Sequence, residues 1–215
     1  MQLRQSRIFY FLAAMFCYVQ LSACVALITP TVETEVLKLR AGEYELDPAH
    51  SALLFKVQHL GLATYVGRFN KIAATLDFDP DDLQASKLEA IIDVESLDIN
   101  DPDLEKRLMG RSWFNQADYP QASFTTLSVV PTSESEFDFT GQLNWRGVSK
   151  PLTIKVKFNG GANNILTQKY TLGFEATGSF LRSDFGMGDF VPLIGDEIQL
   201  EAFAEFQRNK SSQRG

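Results

Sequence analysis

The chain is short of the residues that staple a fold or carry covalent chemistry. It has two cysteines and two histidines in 215 residues. Cys17 falls in an N-terminal leader and Cys24 at its end, so no intramolecular disulfide is expected and stability must come from packing. A structural zinc site usually takes four ligands and a catalytic one about three plus water. His50, His59 and Asp47, with no free mature thiol, fall short of that, and no metal or other resident cofactor is expected. Basic residues are also scarce, 20 against 27 acidic for a net charge of −7, and no basic patch stands out. Such a surface repels polyphosphate, which excludes nucleic acid as an expected partner. A long apolar run is missing too. The uncharged segment Ile8 to Gln20 is only thirteen residues long, whereas a bilayer-spanning helix needs about 20.

What that segment does have is Arg4 and Arg7 before it and Leu21-Ser22-Ala23-Cys24 after it. A basic start, a short apolar stretch and a small-residue cleavage site make a secretory signal. The ending resembles the lipobox of bacterial lipoproteins, in which cleavage precedes the cysteine and the cysteine carries the lipid. The alternatives are ordinary cleavage nearby, for instance after Ala26, and an uncleaved anchor. On the lipobox reading residues 1–23 are a signal peptide, and 24–41 are the lipidated Cys24 with a tether holding Thr29, Pro30, Thr31, Glu33 and Thr34. Residues 42–209 are the folded domain and 210–215 a polar tail. The product would be exported and periplasmic, with the membrane as a partner through Cys24. Val25, rather than aspartate, follows the cysteine, and by the same resemblance this favours the outer membrane. Losing Arg4 and Arg7 leaves 18 basic residues against 27 acidic ones, a mature charge of −9.

The domain is dominated by period-two alternation. Leu53, Phe55, Val57 and His59 share a face, as do Ile72 to Phe78 and Leu88 to Val94 by twos. The pattern returns with Phe137, Phe139, Gly141, Leu143 and Trp145, then Leu152 to Phe158, Tyr170 to Phe180 and Ile198 to Phe206. Turn signals at Asp79-Pro80-Asp81-Asp82, Arg146-Gly147 and Asn159-Gly160-Gly161 separate them. The fold class is all-β, and about eight such strands can close into an antiparallel barrel that leaves no exposed edge. One segment departs from the pattern. Leu104 and Leu108 lie four apart behind Asp101-Pro102, which predicts a short helix starting near Asp101, with Trp113 and Phe114 placed to cover one barrel end.

Several spaced motifs then resemble one family, the YceI-like, lipocalin-like proteins. They are Tyr44-Glu45-Leu46-Asp47-Pro48-Ala49-His50-Ser51 with Phe55, Val57, His59, Gly61, Val66, Gly67 and Phe69, then Trp113-Phe114-Asn115 with Tyr119-Pro120 and Phe124. Leu143 with Gly147 to Leu152, Gly173 to Ala176, Arg182 to Met187 and Gly195 to Ile198 follow in the family's order, covering about residues 42–206. The resemblance implies an eight-stranded barrel with an elongated cavity that binds polyisoprenoids, isoprenoid quinones or similar lipid-like amphiphiles, without enzymatic activity. Many members carry Asp-x-His-Leu where this chain reads Glu105-Lys106-Arg107-Leu108. Arg107 is then either a partner for an anionic head group or a solvated helix residue.

The candidate ligand-binding residues are Phe55, Val57, His59, Phe69, Phe78, Phe139, Trp145, Phe174 and Phe180, on or beside the alternating strands. From the residues alone these rings either line a slot or fill a closed core, since barrels of this size do both. A hydrolase would need a nucleophile, a base and an orienting acid together. Ser51 beside His50 does not supply them, because successive strand residues point to opposite faces. Arg182 in the Arg182 to Asp184 segment is expected to pair with a carboxylate. Two other functions remain open at this level: an enzyme on a hydrophobic substrate using His50 or His59 as acid or base, and a ligand-free envelope interaction module. The sequence allows a homodimer without specifying one.

Overall fold

A computed structural model describes residues 30–209. The leader, Cys24 and the tail from residue 210 lie outside the described residues. Eleven strands are described: β1 (Gly42–Leu46), β2 (Ala52–His59), β3 (Ala63–Phe69), β4 (Ile72–Phe78), β5 (Lys87–Asp93) and β6 (Leu97–Asp98) in the first half. The second half holds β7 (Gln121–Pro131), β8 (Glu136–Trp145), β9 (Val148–Asn164), β10 (Lys169–Leu181) and β11 (Glu197–Arg208). The α-helix α1 (Pro102–Leu108) starts where the sequence places it, with Asp101 accepting a hydrogen bond from the Leu104 N–H as N-cap.

Eight strands close an antiparallel barrel in the order β1, β4, β5, β7, β8, β9, β10, β11, sealed by pairing of β1 with β11. The same edge of β11 pairs with β1 at Phe206↔Leu46 and with β2 from Phe203↔Ala52 to Gln199↔Lys56. Gly42 to His59 therefore runs as one long strand kinked at Pro48–His50, and β3 with β4 follows it as the second arm of a bent hairpin. Pairing across this hairpin lapses between Glu45↔Thr75 and Leu53↔Phe69. The kink is held to β11 instead: the Asp47 N–H donates to the Glu205 carbonyl (2.8 Å), and Ser51 Oγ accepts from the Glu205 N–H (3.1 Å).

The β8–β9 hairpin turns on Arg146 and Gly147, with φ of 51° and 72°. Positive φ at both positions matches the right-handed twist of the strands they join. Gly67 faces inward on β3 for a different reason. A Cβ there would lie 2.4 Å from the Phe55 ring and 2.5 Å from Ile99 Cγ2, so the absence of a side chain is what lets Phe55 lie across that strand.

Two buried clusters lie toward the two ends, one filling its end and the other forming part of a chamber wall. One gathers Tyr44, Leu172, Phe137, Phe158 and Phe206, capped by Val36 and Leu39 from the segment before β1. The other gathers Val94, Phe114, Trp145, Phe185 and Met187 under α1 and the loop before β11. Every barrel strand lies within residues 42–208, so the domain from Pro30 onward carries its own cores. Between the clusters, Leu53, Phe55, Val57, Ile92, Leu200 and Ala202 face inward yet keep solvent-accessible surface. A filled interior at native density would leave none, so the middle of the barrel is open. No helix among the described residues is long and apolar enough to cross a membrane.

Candidate functional site

Alternation puts every second side chain of β2, β10 and β11 inside the barrel, and their walls enclose a chamber of about 450 Å3. Phe55, Val57, His59, Phe69, Trp145 and Phe180 all line it. A second chamber of about 170 Å3 adjoins it and is lined by Phe139 and Phe174, among others, with the exposed Ile91 and Phe203 at its edge. Leu53, Ile92, Leu143 and Leu200 belong to both walls, so the chambers lie end to end. Phe78 lines neither; it packs edge-on against Tyr44 at the closed end, with ring centroids 6.4 Å apart. The larger chamber alone falls within the range of about 300–1,000 Å3 typical of small-molecule sites.

Its wall is almost wholly apolar, and two of its polar groups, Tyr65 and Arg182, are fully engaged with backbone carbonyls. Tyr65 Oη donates to the Ile99 carbonyl at 3.1 Å. Trp145 Nε1 is buried without an acceptor among the described residues, its indole set edge-on to Phe180 at 6.1 Å and tilted against Phe114 at 5.0 Å. Arg182 is 3% exposed and was expected to meet a carboxylate, but it does not. Its Nε donates to the Gly195 carbonyl (2.9 Å), Nη1 to the Met187 carbonyl, and Nη2 to the carbonyls of Asp189 (3.0 Å) and Ile194 (2.9 Å). The physical reason is reach: the loop from Gly186 to Gly195 wraps the guanidinium and presents backbone oxygens to it, while Asp196 is taken by the Ser183 N–H and hydroxyl. Burial lowers the Arg182 pKa, and the nearby charges of Asp196 and Asp189 act against that. Above the guanidinium, 5.5 Å away, lies the Trp113 ring, which stacks on Phe190 at 6.2 Å.

The mouth of the chamber carries His59 and Arg107. Neither side chain makes a hydrogen bond or ion pair among the described residues, although the His59 ring lies 6.4 Å from that of Tyr65. Arg107 thus stands at the chamber while its side chain remains exposed to solvent. Leu104, Leu108, Trp113, Phe190 and Leu193, which the alternating pattern did not reveal, complete this end. The apolar run Phe190-Val191-Pro192-Leu193-Ile194 in an otherwise polar loop was the available sign.

His50 lies elsewhere, on the outer surface at the kink. Its Nδ1 is 2.9 Å from Asp47, whose carboxylate also accepts from the Ala49 N–H and from Gln207. Glu205 completes a cluster with donor atoms within 4.8 Å of one another. The Asp47 carboxylate raises the His50 pKa above its ordinary 6.5, and the His50 ring holds Asp47 below 3.8. The His50 contribution to stability is complete below about pH 6.5 and is lost as pH rises through the raised value. The Asp47 contribution is complete above 3.8 and is lost as pH falls through the lowered one. The pair is therefore fully formed between about pH 4 and 6.5. An NMR titration should place the His50 midpoint above 6.5, and Asp47→Asn should move it down, with the Glu205 charge still acting to raise it. An unshifted wild-type midpoint would contradict the pair.

Chemically, the chamber is built to hold an apolar body. Ser51 Oγ is bonded to the backbone of β11, His50 is outside the barrel, and no carboxylate orients His59 among the described residues.

Comparison with known proteins agrees with this architecture. The YceI-like domain matches residues 44–206. Protein YceI of Salmonella arizonae is 33% identical over 162 residues, 74% of this chain and 84% of that protein. The Campylobacter jejuni YCEI protein superposes with a TM-score of 0.64 at 26% identity, covering 71% of this chain and 90% of that one. A polyisoprenoid binding domain from Saccharophagus degradans shares the fold at a TM-score of 0.59 and 13% identity, covering 77% and 98%.

Proposed function

This chain belongs to the YceI-like family, and from that premise we propose that its barrel binds, carries or stores a polyisoprenoid, an isoprenoid quinone or a similar lipid-like amphiphile. The observation that carries the reading is the open, apolar chamber, extended by a second one. Burying ten tail carbons there would gain roughly 8 kcal/mol gross, on the order of micromolar affinity before ordering costs. The polyisoprenoid binding domain of Saccharophagus degradans, with the same fold, supports this ligand class. We propose no catalytic step, because the chamber offers no nucleophile paired with an oriented base. The leader adds a location: export, with Cys24 lipidated and the domain tethered to a membrane of the bacterial envelope, the outer one by resemblance.

The two tryptophans of the chain, Trp113 and Trp145, both line the larger chamber. An isoprenoid quinone entering it should quench nearly all tryptophan emission at one equivalent, with an apparent Kd on the order of micromolar. A saturated alkane of equal length should compete without quenching. Emission unmoved by excess quinone would contradict the reading.

A further inference from the structure

We propose that the chamber mouth is a docking surface for a lipid bilayer, an inference that rests on the chamber's being a lipid-like site. Two loops form the rim. The turn between β2 and β3 presents Leu60 (49% exposed) and Leu62 (84%), and the loop before β11 presents Phe190 (64%), Val191 (40%) and Leu193 (60%). They are not independent flaps. The Leu60 N–H donates to the Leu193 carbonyl at 2.7 Å, the Gly195 N–H donates to Gln58 at 2.8 Å, and His59 bridges to Ile194. Behind them, Arg182 grips the second loop through its carbonyls. The rim is thus one braced apolar surface, and a contiguous exposed patch of this kind marks an interaction site.

Two observations point to a bilayer as its occupant. Leu60, Phe190 and Leu193 both stand exposed and line the chamber, so apolar surface runs unbroken from the outside into the cavity. Against a membrane, a hydrocarbon tail could pass from the acyl region into the barrel without crossing water, whose contact with each methylene is unfavourable. On the wall of the larger chamber, the exposed guanidinium of Arg107 has no ion-pair partner among the described residues, and Lys106, next to it on α1, is also exposed. Arg107, standing at the chamber, is placed to meet a lipid phosphate, with which a guanidinium pairs well. Exposed apolar side chains also occur elsewhere: Leu166 (89%) lines neither chamber, and Ile91 (45%) and Phe203 (44%) line only the smaller one.

The test is flotation of the domain from Pro30 onward with vesicles of phosphatidylcholine and phosphatidylglycerol. The wild type should float with the vesicles. The double variant Leu62→Asp, Val191→Asp, at positions outside the chamber lining, should lose at least tenfold in partitioning, and Leu166→Asp should float like wild type. In detergent, a quinone with two isoprene units should quench the double variant as it does wild type. A wild type that stays with the soluble fraction would overturn the docking inference, as would a double variant that still floats. So would a wild-type dimer in solution that the double variant converts to monomers, since a second copy would then cover the rim. Intact quenching with no flotation would sink the docking surface alone, whereas flotation without quenching would sink the chamber reading.

Discussion

Replacing Leu200 with tryptophan should abolish most of the affinity for a long isoprenoid while leaving the barrel folded. Leu200 faces inward on β11 and belongs to the walls of both chambers. Its neighbours across the sheet are Phe55 on β2 and Gly178 on β10; Ile154 covers Gly178, so the indole would have to turn toward the chambers. An indole there would grow into open volume, so the stability change should stay within about 1.5 kcal/mol. The second chamber, however, would be shut off. If five tail carbons lose their place, roughly 4 kcal/mol of burial is forfeited, about a thousandfold in Kd. Titration with quinones of increasing tail length should show short tails binding almost as before and long ones no better than short. Undiminished affinity for the long tails would mean that the ligand does not reach the second chamber.

The largest effect on stability should come from Arg182→Met. The substitution keeps an unbranched chain but strips four buried or half-buried carbonyls, those of Met187, Asp189, Ile194 and Gly195, of their donor. An unsatisfied buried polar group costs about 1–3 kcal/mol. Allowing for water reaching some of them, the loss should be roughly 4 kcal/mol, read as a lower midpoint in urea at an unchanged slope. Arg182→Lys should recover part of it, because an ammonium has three donors but lacks the planar fork. A Met variant within 1 kcal/mol of wild type would show that the loop holds its shape without the guanidinium.

Much of the barrel was legible because a strand with one face inward writes that fact into every second residue. Strands β2, β4, β5, β8, β10 and β11 carry uninterrupted alternation, β9 carries it through Phe158 before a register shift at Asn159, and α1 is announced by its Asp101 cap and Pro102. The strands that escaped notice have identifiable breaks. On β7 the inward face is even-numbered at Ala122 and Phe124, but the register shift between Thr126 and Ser128 makes it odd-numbered at Val129. On β3 the inward position at Gly67 has no side chain, so the pattern thins where Phe55 needs room. At the site, parity picked out Phe55, Val57, His59, Trp145 and Phe180, which stand on the chamber wall together with Phe69 from beside the alternating strands. Parity carries no information about depth along the barrel axis. Phe78 therefore reads like the others yet sits against Tyr44 at the closed end. Arg182, Trp113, Phe190 and Leu193 come from irregular segments whose placement depends on tertiary hydrogen bonds, and no local period could reveal them.

The most direct measurement of the central claim is native mass spectrometry of the domain from Pro30 onward, purified without harsh detergent from a bacterial host, followed by lipid analysis after denaturation. A single copurifying amphiphile at one equivalent, with masses spaced by isoprene units, is the expected result. A protein that arrives empty and stays empty when offered quinones and prenyl lipids would contradict the account.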